Sequence, residues 1–206
     1  MNRKLIQKSI KVRLTFTEPV LGTMPNNEEL YAEFIAGKAP DAGKVEEELD
    51  SFDVNDEIQK GMTVFPRDDD GNPYLWDYQI RGFFKGACGF LRRFPGSESS
   101  KFKSYKKEID GGIFVEPRKV AFDNVARIEE CQRPLRAQTA QGERVALASS
   151  EQIPAGATLT FEILLGNKAN EAVVREWLDY GELSGIGQWR NSGKGRFVWE
   201  EVESDA

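Results

Sequence analysis

The stretch Gly181-Glu-Leu-Ser-Gly-Ile-Gly-Gln-Trp-Arg-Asn-Ser-Gly-Lys-Gly-Arg196 decides how this chain is read. Glycines 181, 185, 187, 193 and 195 surround Trp189, Arg190, Lys194 and Arg196, so backbone N–H groups, an aromatic plane and cations are offered with little steric bulk. Such a loop lets a phosphate chain approach closely, although a glycine-containing hairpin before a final strand is the plain alternative. Two nucleotide motifs fail here. A Walker A loop needs four residues between its first glycine and Gly-Lys, followed by Ser or Thr; Gly187 to Gly193 encloses five, and Gly195 follows Lys194. A dinucleotide fingerprint needs glycine where Arg190 stands, and it opens a helix after a strand rather than following a helix.

Working outward, Val173, Val174, Trp177 and Leu178 mark one face of a helix before the loop, with Gly181 expected as its left-handed C-cap. Ahead of it, Thr158 to Leu165 alternates through Leu159, Phe161 and Ile163. Beyond the loop, Phe197 and Trp199 alternate with Val198 and Glu200. Near the other end Ile10, Val12, Leu14 and Phe16 alternate with Lys11, Arg13, Thr15 and Thr17, the period of a strand with one buried face.

After Asp77 as candidate N-cap, Ile80, Phe83, Phe84, Ala87, Cys88 and Leu91 recur at helical spacing. At about 100° per residue, Arg81, Lys85 and Arg92 fall within about 40° of one another, and Gly82, Gly86 and Gly89 fill the next sector. Each interior glycine costs about 1 kcal/mol against alanine, so three together predict close approach of another backbone, protein or nucleic acid. Tight packing against a neighbouring strand is the competing explanation. Strand, helix, intervening strands, helix and strand give a βαββαβ order. That is an α+β fold of ferredoxin-like (RRM-type) arrangement, with insertions and a C-terminal glycine-rich loop.

The insertions are expected at 23–72 and 95–150. From Pro25 to Asn72 there are fourteen acidic and four basic residues; Arg81 to Lys107 holds eight basic residues and only Glu98 as an acid. In the acidic part, Asn26 with Glu29 resembles a capping box for a short helix closing near Gly37, and Glu46-Glu47-Glu48 reads as a solvated face. Thr63 to Phe65 and Tyr74 to Trp76 flank an Asp70-Gly71 turn signal, which predicts a small hairpin with its aspartates in turn chemistry. Pro95 to Lys107 reads as a mobile basic loop with Phe102 and Tyr105 interleaved, a composition suited to single-stranded nucleic acid. Ile113 to Phe122 and Leu135 to Leu147 read as irregular strands, the latter broken by Gly142.

The 206 residues suffice for one domain with a substantial core, and the net charge of −6 argues against a uniformly basic nucleic-acid coat. No stretch reaches a membrane span or a signal-peptide apolar region, so the expected location is cytoplasmic. With no histidine and only Cys88 and Cys131, no Cys/His metal site can be assembled; no metal, cofactor or catalytic residue is expected.

Three pieces resemble the RAMP superfamily, the RNA-binding backbone subunits of CRISPR effector complexes. Gly185-Ile-Gly187, five residues, then Gly193-Lys-Gly195-Arg-Phe197 fits that family's G-h-G-x5-G-x-G-x-h loop. Ile80-Arg81-Gly82-Phe83-Phe84-Lys85 is similar to its helix motif S-x-L-K-G-x-L-R, with Tyr78 and Gln79 preceding it in place of the serine, and Ser149 to Phe161 is similar to its entry to a strand. With Pro19-Val-Leu-Gly22 the likeness spans most of 1–206 as a single domain, apart from the acidic insertion. It implies binding of single-stranded, guide-like RNA in a CRISPR-related assembly, with copies of the chain or related RAMP subunits stacked along the strand. The expected RNA-binding residues are Arg81, Gly82, Lys85, Gly86, Arg92, Gly185, Gly187, Trp189, Arg190, Gly193, Lys194, Gly195 and Arg196. Among them Arg81, Lys85 and Arg92 would neutralise phosphates, the loop N–H groups would cradle them, and Trp189 would stack a base or else sit in the core. Two alternatives stay open. One is a stand-alone RAMP-like interaction protein that mimics or blocks such a complex, sequesters a nucleotide or builds a scaffold. The other is an acidic endoribonuclease using Glu28, Glu29 and Glu33, the histidine-centred route being closed.

Overall fold

A computed structural model describes residues 5–26, 62–139 and 142–203. Its centre is the strand pair that the apolar alternation predicts. β1 (Lys8–Phe16) buries Ile10, Val12, Leu14 and Phe16. Further along the chain come β2 (Val20–Leu21), β3 (Met24–Pro25), β4 (Thr63–Val64), β5 (Tyr74–Trp76), β6 (Ile113–Glu116), β7 (Lys119–Asp123), β8 (Glu129–Thr139), β9 (Gly142–Ile153), β10 (Thr158–Leu165) and β11 (Phe197–Glu201). β10 runs antiparallel to β1, with Ile10 opposite Ile163, Val12 opposite Phe161 and Leu14 opposite Leu159. That register puts both apolar rows on one face; a slip of one residue would turn them to solvent. β11 pairs the other side of β1, β6 and β7 pair with opposite ends of β10, and β5 pairs with β7. The sheet order is β11-β1-β10-β7-β5, with β6 beside β10.

Among the described residues the α-helices are α1 (Asp77–Leu91), α2 (Tyr105–Gly112), α3 (Glu171–Asp179) and α4 (Gly181–Ser184). Ile80, Phe83, Phe84, Ala87 and Cys88 of α1 and Val173, Val174, Trp177 and Leu178 of α3 are buried in the core that β1 and β10 supply. Phe84 and Trp177 hold their ring centroids 5.6 Å apart, and Phe83 meets Phe197 of β11 at 5.4 Å. Burial of the core pushes the Cys88 thiol above its ordinary range. The second sheet is built on the β8–β9 ribbon, paired from Glu129 opposite Gln152 to Thr139 opposite Gly142. β2 and β4 join it through β9, and β3 joins through β4. The fold is α+β with predominantly antiparallel sheets.

Several local expectations are corrected. The N-cap of α1 is Trp76, whose N–H donates to Gln79 Oε1 at 2.8 Å; Asp77 occupies the first helical position, where a carboxylate favours the positive helix end. Gly181 opens α4 rather than capping α3 in a left-handed conformation. A Cβ there would lie 2.2 Å from the Phe197 ring, so close packing explains the glycine. The Thr63–Trp76 hairpin is confined to its tip: Gly71 N–H donates to Asp68 O at 3.0 Å, Arg67 and Pro73 form an antiparallel bridge with Tyr74 N–H donating to Pro66 O at 3.1 Å, and β4 and β5 then leave for different sheets. Asp68 accepts from Asn72 N–H at 2.7 Å and Asp70 N–H at 3.0 Å, and those bonds, Asn72 first, hold its carboxyl below the usual range.

Pro95 to Lys107 is not a loose loop. Ser99 is buried, and Glu176 of α3 accepts from Glu98 N–H at 2.8 Å, Ser99 N–H at 2.9 Å and Ser99 Oγ at 2.5 Å. Trp177 Nε1 donates to the same Ser99 Oγ at 2.9 Å. Phe102 is buried and Tyr105 starts α2, so these aromatics are already packed. Gly142 does not break a strand; it begins the returning arm of the ribbon. The expected helix from Asn26 to Gly37, the Glu46–Glu48 run and most of the 23–72 insertion lie outside the described residues. Among the described residues no helix is long and apolar enough to cross a membrane.

Candidate nucleic-acid interface

The glycines of α1 form the floor of a trough. Successive side-chain positions rotate about 100°, so Lys85, Gly89, Gly82, Gly86 and Phe90 follow one another around the helix. On one bank, Lys85 Nζ pairs with Asp110 of α2 at 2.5 Å, and Tyr105 of α2 lies over Gly89, its hydroxyl 3.0 Å from where a Cβ would stand. The Arg92 guanidinium sits 5.2 Å from the centroid of the same tyrosine ring. On the other bank Arg190, exposed, reaches across Gly86 with Nη1 3.5 Å from an added Cβ. Between the banks Gly82 is open: among the described residues a Cβ there meets nothing within 4 Å. The two sequence motifs, helix and glycine loop, are therefore brought together at Gly86 and Arg190.

Among the described residues, no strand packs on the three glycines at this face: side chains, Tyr105 and Arg190, lie against Gly89 and Gly86. Arg81 lies nearer the start of α1, where its Nη2 donates to Asp77 Oδ2 at 3.3 Å; Arg118 approaches the same carboxylate at 3.8 Å. Two of the three expected phosphate-neutralising cations, Arg81 and Lys85, thus already have a carboxylate. The third, Arg92, has a tyrosine.

The glycine loop is closed on itself more tightly than its composition implies. Gly185 and Gly195 have positive φ, +70° and +71°; a Cβ on Gly195 would fall 1.9 Å from Ile186 O, and one on Gly185 would fall 2.5 Å from Lys194 O. These glycines let the two arms of the loop touch. Ile186 N–H donates to Gly195 O at 2.9 Å, Gly195 N–H to Pro19 O at 2.8 Å and Gly193 N–H to Arg190 O at 2.9 Å. The expected phosphate cradle is correspondingly narrower, because these N–H groups are engaged within the chain. Gly187 backs onto Val20 and Leu21, and Lys194 Nζ donates to Gln152 Oε1 of β9 at 2.8 Å.

Trp189 is neither in the core nor free. Half-buried and at φ +58°, it carries the Arg133 guanidinium of β8 over its ring at 3.9 Å from the centroid. Arg133 was not legible as a site residue, since only the ribbon's pairing brings it to the loop. Its buried Nε and Nη1, with Arg196 Nε, have no hydrogen-bond partner among the described residues. Arg196 folds back over Gly193, its Cζ 3.7 Å from an added Cβ. Glu28, Glu29 and Glu33 lie outside the described residues.

The opposite face of the main sheet offers no base-stacking platform on its central strands. That face carries Ser9, Lys11, Arg13 and Thr15 of β1 against Leu164, Glu162, Thr160 and Thr158 of β10, with no aromatic among them, while Phe114 of the flanking β6 lies opposite Leu164 and is 40% exposed. In the trough and its loop, exposed cations and open helix backbone lie together, and the aromatics there, Tyr105 and Trp189, each carry an arginine over the ring.

No protein-family model and no curated protein matches this chain. Among solved structures it is similar to a chain of the type III-B Cmr-beta bound to cognate target RNA, with TM-score 0.53 and 10% sequence identity. The match covers 95% of this chain and 58% of that one, so the protein spans little more than half the length of its structural neighbour. That likeness is one of fold.

Proposed function

We propose that the protein binds single-stranded RNA along the α1 trough, as a RAMP-like, backbone-type component of a CRISPR-related ribonucleoprotein assembly. The observation that carries this reading is the glycine floor of α1, open among the described residues at Gly82 and covered at Gly86 by the Arg190 guanidinium. A polyanion can approach a helix backbone there, and an exposed guanidinium is positioned to take a phosphate. Support at the level of fold comes from strand order: β1, α1, β6 and β7, β10, α3 and β11 follow the ferredoxin-like βαββαβ sequence, and the sheet order β11-β1-β10-β7 agrees with it. The likeness to a chain of an RNA-bound type III-B assembly points the same way.

In this reading 1–206 is one domain, the 23–72 and 95–150 segments are elaborations of it, and sister subunits lie beside it on the strand. The chain binds without cutting, and no histidine is present for acid–base cleavage. Anisotropy titration of fluorescein-labelled single-stranded RNA against its duplex, at about 50 mM salt, tests the proposal. Preference for the single strand supports it; absence of binding to either refutes it.

A further inference from the structure

Where the trough ends, two exposed aromatic rings, Phe90 and Phe94, gather on a third, Tyr180, that is anchored on the core. Phe90 lies one turn beyond Gly86 on the same face of α1, and about 12 Å of helix separates it from Gly82. It is 44% exposed, and Phe94 just past the helix is 51% exposed. Tyr180, at the end of α3, packs partly against the core and holds the Phe90 ring nearly parallel to its own, centroids 5.5 Å apart and planes 22° apart. Phe94 meets Phe90 at 5.3 Å with the planes tilted by 59°. One anchored ring therefore supports a second whose outer side faces solvent, and a third closes its edge. Exposed apolar surface of this kind marks an interaction site.

The charges around the rings select the partner. Arg93 is exposed in the turn directly after α1, and Arg190 stands over Gly86, one turn back. The acids beside Tyr180 in sequence are Asp179, whose Oδ1 accepts from Trp199 Nε1 at 2.7 Å, and Glu182 of α4, next to the exposed Leu183. A planar aromatic ligand carrying negative charge matches rings flanked by guanidinium groups.

We propose that Phe90, Phe94 and Tyr180 form a base-stacking platform at the end of the trough, receiving bases of a single strand whose phosphates meet Arg190 and Arg93. The inference rests on the reading that the trough takes RNA, and it adds what the trough lacks, a surface for the bases. Stacking tolerates any sequence and favours purines, which have the larger π-face.

Fluorescein-labelled 12-mers of adenosine and uridine, and an abasic ribose-phosphate 12-mer, separate the two claims. Wild-type protein should bind the adenosine strand tighter than the uridine strand. Phe90→Ala/Phe94→Ala should lower adenosine-strand affinity roughly 5- to 100-fold, leave its salt dependence unchanged, and bind the abasic strand as wild type does. Both rings are about half exposed, so circular dichroism should show the variant folded. If the double variant keeps full affinity while Arg190→Ala loses it, the platform is overturned and the trough reading stands. If wild type binds none of the three strands, both fall. If the double variant changes the sedimentation coefficient of RNA-free protein from an oligomer to a monomer, the patch is a protein interface and the platform is overturned.

Discussion

Replacing Gly82 and Gly86 together by leucine should make the protein more stable and abolish its RNA binding. The structure sets both signs. Each glycine is exposed in the interior of α1, neither has positive φ, and an added Cβ meets nothing at Gly82 and only the Arg190 Nη1 at Gly86. With no Cβ clash among the described residues and only the flexible Arg190 side chain to shift at Gly86, the substitutions gain helix propensity, about 0.8 kcal/mol each, or about 1.5 kcal/mol together. For a chain of this size that raises Tm by about 3–6 °C. At the same time two leucine side chains fill the floor that a strand must approach. Thermal unfolding by circular dichroism and anisotropy titration with single-stranded RNA give the two readings on one preparation. A fall in Tm would contradict the open helix face; a stabilised variant that binds RNA like wild type would refute the trough.

Three further outcomes follow from local geometry. Gly195→Ala should be far worse than Gly71→Ala: both have positive φ and share a backbone cost of about 1–2 kcal/mol, but the Cβ at Gly195 also strikes Ile186 O at 1.9 Å while that at Gly71 meets nothing. Equal urea midpoints for the two variants would contradict the loop's closure. Ser99→Ala removes the hydroxyl shared by Glu176 and the buried Trp177 indole, and should lower unfolding free energy by about 1–3 kcal/mol in urea titration. The Arg175 side chain, with Lys8 nearby, holds the Glu171 carboxyl below its ordinary value of 4.5, so its contribution is fully present above that pH and is lost as pH falls through the lowered folded value. Stability of Glu171→Gln should therefore change less than that of wild type between about pH 6 and pH 3, and parallel profiles would remove Glu171 from the acid response.

What could be read in the sequence were the elements with one buried face and a regular period. Ile10 to Phe16, Ile80 to Leu91, Thr158 to Leu165 and Val173 to Leu178 each carry an apolar row that survives translation into structure. The β8–β9 ribbon was not readable as a pair because Glu129, Glu130, Gln132 and Arg133 show no apolar alternation, although Glu129, Cys131 and Arg133 are half-buried and Glu130, Gln132 and Pro134 exposed. Gly181 looked like a helix cap because helix ends and close packing both favour glycine, and only the Phe197 ring distinguishes them. At the site, the coincidence of helix glycines and glycine loop was legible as two motifs, but their meeting at Gly86 and Arg190 is tertiary. The Asp77–Arg81 pair carried a signal, a carboxylate four residues before a guanidinium, that could have discounted Arg81 as a free cation. Asp110 beside Lys85 and Arg133 over Trp189 carried none.

The most direct test of the central claim is the salt dependence of single-stranded RNA affinity in wild type and Arg190→Ala. Arg190 is an exposed cation laid over the glycine floor, whereas Arg81 and Lys85 are already paired with Asp77 and Asp110 and the exposed Arg92 lies against Tyr105. If it takes one phosphate, log affinity for wild type should fall linearly with log salt, and Arg190→Ala should lower that slope by about 0.7. Arg81→Ala should change it less. A wild-type affinity independent of salt, or an Arg190→Ala slope equal to wild type with the Arg81→Ala slope reduced, would contradict the placement of RNA in the trough.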